Sequence, residues 1–145
     1  MTSVIADAHI LMSMTYASRA NPDVSAKDFH EILKQAQINN AANGITGMLT
    51  FNKDYFLQTV EGPRAQINRL LYSLIADQRH HDLQVIETRE LTHRAWAEWS
   101  MNYASPTEKN AAIYLKYSTT VDFNPYLLSA ASAHDLMNAL SDQQD

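Results

Sequence analysis

The hydrophobic periodicity of this chain switches in a definite order, and that order limits the fold more than any other feature. Residues 10–17 (ILMSMTYA) form an apolar run of strand length that includes Tyr and Thr. At Ser25 the spacing changes. Ser25 and Asp28 resemble a capping box, and Phe29, Ile32, Leu33 and Ala36 recur at helical intervals to about Asn39, before Asn43-Gly44 stops the pattern. Residues 45–51 (ITGMLTF) and 55–60 (YFLQTV) read as two strands joined by the tight turn Asn52-Lys53-Asp54. Glu61-Gly62-Pro63 then reads as the start of a second helix with Pro63 in its first turn, followed by the stripe Ile67, Leu70, Leu71, Leu74 and Ile75 and an end near Asp77. Residues 83–89 (LQVIETR) alternate as a fourth strand, and residues 99–103 (WSMNY) suit a short fifth.

Strand, helix, strand, strand, helix, strand is the split β-α-β order of the ferredoxin-like folds, so the expected class is α+β, βαββαβ with an extra strand. Both helices should lie on one face of the sheet, and strands one and three should be neighbours. After Pro106 the composition turns to Ala, Ser, Tyr and Leu, with Asn124-Pro125 dividing two expected helices at 107–117 and 125–140. The expected organisation is one domain over residues 8–104 and a two-helix extension over 105–145, with the last few residues frayed.

Composition narrows the function classes. A chain of 145 residues with 46% hydrophobic and 19% charged residues suffices for one packed core. Its formal charge of −5 offers no basic stripe for phosphates, which argues against direct nucleic-acid binding. The absence of cysteine excludes disulfides, thiolate metal sites and a thioether link to a cofactor. No segment approaches the roughly 20 apolar residues of a membrane span, and a cytoplasmic location is expected.

Several local patterns carry chemistry in other proteins. His80-His81 raises a metal site, but neighbours on an extended segment point apart and no ligand spacing accompanies them, so no metal is expected. The phosphate loop of small ferredoxin-like phosphohydrolases would fall on YASRANPD, which lacks its glycines. Arg64 and Arg69 suit a solvated helix face. The run of side-chain amides is more unusual. Asn39, Asn40 and Asn43 crowd the end of helix one, and Gln58 interrupts an apolar strand. They could be helix caps and a solvent-facing glutamine. Equally, groups that both donate and accept suit a planar heterocycle of alternating carbonyls and N–H groups, and adjacent strands one and three would bring Tyr16 within reach of Gln58.

With YASRA at 16–20, NNAANGITG at 39–47, FLQTVEGP at 56–63, DQRHHD at 77–82 and WSM at 99–101, the sequence resembles the BLUF domains, flavin-dependent blue-light sensors, over most of its length. The resemblance implies a photoactive tyrosine at Tyr16 and a switching glutamine at Gln58. It implies a flavin anchor at Asn40 with Asn39 beside it, an Arg-His pair near the pyrimidine end of the ring at Arg79 and His80, and signal-relay positions at Trp99 and Met101. Ile32 and Ala36, one and two turns before Asn40, would lie against the ring plane between the two helices. FAD is the family's usual cofactor, with FMN or riboflavin as alternatives. The implied function is photoreception without enzymatic activity, with homo-oligomer formation and output to a separate protein effector. A flavin-dependent redox enzyme and a cofactor-free interaction module are the competing classes. The first would require substrate room and proton-transfer groups, and the second would leave the purified protein colourless.

Overall fold

The computed structural model describes residues 10–96, 102–104, 108–118 and 122–142. Strand β1 (Leu11–Ala20) leads into helix α1 (Ala26–Ala42), the hairpin β2 (Thr46–Phe51) and β3 (Tyr55–Pro63), helix α2 (Arg64–Ala76) and strand β4 (His80–Leu91). Strand β5 (Asn102–Ala104), helix α3 (Glu108–Tyr117), a 3-10 turn (Pro125–Leu127) and helix α4 (Ala130–Asp142) follow. The sheet order is β4-β1-β3-β2-β5, antiparallel except for the parallel pair β2 and β5. This is the ferredoxin-like arrangement expected from the sequence, with β1 and β3 side by side at its centre.

Local chemistry sets the element boundaries. The Ser25 hydroxyl accepts from Asp28 N while the Asp28 carboxylate accepts from Ser25 N, the capping box anticipated for α1. Gly44 takes the left-handed conformation that turns the chain from α1 into β2, with φ of 69°. The Asn52 Oδ1 accepts from Asp54 N and Tyr55 N, both at 2.8 Å, and closes the hairpin. At Gly47 the strands run so close that an added Cβ would stand 2.2 Å from the Thr59 carbonyl oxygen.

Three expectations change. Glu61-Gly62-Pro63 continues β3 and pairs with Leu11, Met12 and Ser13, so Pro63 is the N-cap residue of α2 and lies outside its first turn. The helix expected at 125–140 is divided: Asn124 caps the 3-10 turn by accepting from Tyr126 N, and Ser129 Oγ accepts from Ser132 N at the start of α4. Two caps five residues apart start two helices. Strand β4 runs beyond 83–89 at both ends, and its register against β1 slips twice, between Thr15 and Tyr16 and between Ala17 and Arg19. The second slip contains Asp82, with φ of 56°. Such bulges twist an edge strand away from foreign partners.

The sheet is buried on both faces. Met14, Tyr16, Phe56, Val60 and Leu49 face α1 and α2 with Phe29, Ile67 and Leu74. Met48 and Leu57 face the other way, against Tyr114, Leu136, Met137 and Leu140 of α3 and α4, and Trp96 joins them. Hence all six residues of β2 are buried, the pattern of a strand covered on both sides. The C-terminal helices thus form a layer over the second face.

Candidate functional site

A cleft of about 130 Å³ opens between α1 and α2, over the centre of the sheet. Helix α1 supplies Ile32, Gln35, Ala36, Asn39 and Asn40, and α2 supplies Leu70, Ser73 and Leu74. Tyr16, Leu49, Phe56 and Gln58 form the floor, with Asp77 and Arg79 at one end. Ile32, Ala36 and Asn40 are four residues apart in turn and share one helix face, which explains why the last turn of α1 aims an amide where earlier turns aim apolar groups.

Tyr16 and Gln58 are directly opposed in the β1–β3 register, and the Tyr16 hydroxyl donates to Gln58 Oε1. Each is 4% exposed. Burial raises the Tyr16 phenol pKa above its ordinary value of about 10, and the Asp77 carboxylate pushes in the same direction. Tyr16 is therefore a neutral donor whose proton already points at an acceptor.

The amides at the end of α1 divide between the two roles weighed for them. Asn43 is the C-cap residue, and its side chain donates to the Asn39 carbonyl at 2.8 Å. Asn40 instead uses its backbone carbonyl to accept from Asn43 N and Ile45 N, at 3.1 and 2.8 Å. It is 2% exposed, and its Nδ2 donor has no hydrogen-bond partner among the described residues. A buried amide left without a hydrogen bond costs roughly 1–3 kcal/mol, so this donor is suited to an acceptor on a bound group. A flavin ring, which carries carbonyl acceptors along one edge, fits a cleft that pairs the Asn40 donor and the Gln58 amide with apolar faces of both helices.

Arg79 and His80 separate in function. The Arg79 guanidinium grips Asp77 through Nε–Oδ1 at 3.0 Å and Nη2–Oδ2 at 2.6 Å, which holds the Asp77 carboxyl below the usual range. His80 turns inward, Nε2 on the Leu74 carbonyl at 2.5 Å and Nδ1 on Ser18 Oγ at 2.7 Å, with its ring edge-on to Phe56. His81 points the other way, onto Asn21 Oδ1 at 2.5 Å. Sequence reading missed Asp77, although it stands in the quoted DQRHHD. It also missed Gln35 and Ser73, whose spacing from Asn39 and Asp77 was the available signal. Trp99 and Met101 lie outside the described residues. Trp96, unremarked in the sequence, is 4% exposed in the second core.

The family model for BLUF, described as sensors of blue-light using FAD, matches residues 11–102. The chain belongs to the BLUF family. Among curated relatives, the photoactivated adenylate cyclase subunit beta of Euglena longa is 33% identical over 105 residues, 72% of this chain and 12% of that protein. Among solved structures, the BLUF chain is similar to BlsA in its photo-activated state, with TM-score 0.84 and 27% identity, covering 93% of this chain and 97% of that one. The dark-state structure of BlrB, a BLUF protein, gives TM-score 0.76 and 29% identity, covering 91% and 98%. Flavin is the cofactor class of the BLUF family. No helix among the described residues is long and apolar enough to cross a membrane.

Proposed function

We propose that this BLUF chain is a cytoplasmic blue-light photoreceptor that holds FAD non-covalently, signals to a separate protein partner, assembles as a homo-oligomer and catalyses no reaction of its own. The observation that carries this reading is the buried Tyr16–Gln58 pair beside an Asn40 Nδ2 donor without a partner among the described residues, all lining one cleft. When bound, the isoalloxazine ring supplies blue-light absorption and, once excited, a strong oxidant. Tyr16 would be the electron donor facing it, with the phenol proton held on the existing hydrogen bond to Gln58. Without that acceptor a phenol in so buried a place has no route for its proton. Return of the electron and proton to Tyr16 would leave Gln58 rotated or tautomerised, with altered hydrogen bonding toward the cleft that would lower the absorption energy of a bound flavin. Asn39 and Asn40 would hold the ring edge, Ile32 and Ala36 would flank it, and Arg79 and His80 would close the end formed by α2 and β4. Trp99 and Met101 relay the change.

The test is spectroscopic. Protein supplied with FAD should be yellow, release its flavin on acid denaturation because no cysteine can bind it, and shift reversibly to the red under blue light. Gln58→Leu should keep the colour and lose the shift. Colourless protein would instead favour an interaction module, and steady NAD(P)H turnover a redox enzyme.

A further inference from the structure

Gln58 and Glu61 share β3, but an odd spacing places them on opposite faces of the sheet. Gln58 lines the cleft, whereas the Glu61 carboxylate, 4% exposed, reaches the segment after β4. It accepts the Ala95 N–H with both oxygens, at 2.9 and 3.1 Å, and the Trp96 N–H at 3.0 Å. The preceding residue adds a second attachment: Arg94 donates to Thr46 Oγ1 at 3.0 Å, to the Glu61 carbonyl at 3.1 Å and to the Gly44 carbonyl at 2.6 Å. Gly44 lies within the turn that Ile45 N closes on the Asn40 carbonyl. Residues 94–96 are therefore fastened both to the strand that carries Gln58 and to the turn that carries Asn40, while Trp96 inserts among Met48 and Leu57 in the core under α3 and α4.

A buried carboxylate is expensive unless its oxygens are satisfied, and an apolar side chain would fill this place at lower cost. Its use here points to a role that needs directional bonds. We propose that Glu61 and Arg94 form a latch, positioning residues that couple the hydrogen-bond state of Gln58 and the Asn40 turn to the seating of Trp96 on the opposite face. The latch rests on the photosensor reading above. Charge-assisted bonds from two successive backbone amides to one carboxylate weaken steeply with misalignment, so a small displacement of β3 is read out as release of Ala95 and Trp96. That gives two states biased from the flavin side, as coupling through a structure requires.

Residue-resolved amide exchange on the flavin-loaded chain, in the dark and under blue light, tests this. The Ala95 and Trp96 amides should be protected in the dark and exchange about tenfold or more faster in the light, the scale expected for one charge-assisted bond. In Glu61→Gln both amides should exchange fast in either condition while the flavin red shift persists. Arg94→Met should likewise keep the shift and lose most of the light-dependent difference, and it decides the matter if Glu61→Gln does not fold. A normal red shift with equal protection in dark and light overturns the latch and leaves the photoreceptor reading intact. So does a light-dependent difference that survives undiminished in either variant. Absence of any shift in the unmodified chain overturns the photoreceptor reading and the latch with it.

Discussion

At the scale of single residues, two side chains carry most of the weight. The Asn40 carboxamide is oriented by a helix end whose own hydrogen bonds use only its backbone, so the side chain is committed to the cleft. Asn40→Ala should leave the fold in place and weaken flavin binding by about 1–3 kcal/mol, roughly 5- to 150-fold in Kd, measurable by flavin titration. Unchanged affinity would make Asn40 a structural residue only. Tyr16 carries the second expectation. Its folded pKa is raised, so the stability that depends on its protonated phenol is fully present below about pH 10 and is lost as pH rises through the higher folded value. The light-induced shift should therefore keep its amplitude from neutrality to pH about 10, whereas an ordinary exposed phenol would be half ionised there. Loss of amplitude well below that point would show the phenol to be more solvated than its burial implies.

At the scale of elements, the layer formed by α3 and α4 covers the face of the sheet opposite the cleft. Met48 and Leu57 are both 0% exposed beneath it. Ending the chain after Ala104 would return both to water, costing about 1.5–3 kcal/mol each. Against a typical total stability of about 5–15 kcal/mol, the shortened domain should unfold at a clearly lower temperature, as thermal denaturation followed by circular dichroism would show. An unchanged Tm would mean that the helices rest on the sheet without stabilising it. Much of the element order was legible because β1 and β2 are apolar runs of strand length, α1 opens on a capping box and α2 carries a clean helical stripe. Strand β4 was only partly legible: its two register slips break the alternation that marks a strand. The Glu61-Gly62-Pro63 run misled because Gly-Pro resembles a helix start, whereas pairing with β1 holds it in the strand.

At the scale of the molecule, a central pair of strands is read from two sides: the cleft on one face and the Trp96 core on the other. The sequence carried the first side through the Tyr16, Asn40 and Gln58 motifs. It carried little of the second, since a buried Glu61 accepting backbone amides and a Trp96 under α3 and α4 depend on which distant segments meet. Neither leaves a local period. The central claim is that light acts through the Tyr16 proton and the Gln58 amide. The most direct measurement is the light-minus-dark absorption spectrum of flavin-loaded protein beside that of Tyr16→Phe. The unmodified chain should show a reversible red shift of the flavin band, and Tyr16→Phe should bind flavin equally well and show none. A full reversible shift in Tyr16→Phe would contradict the account.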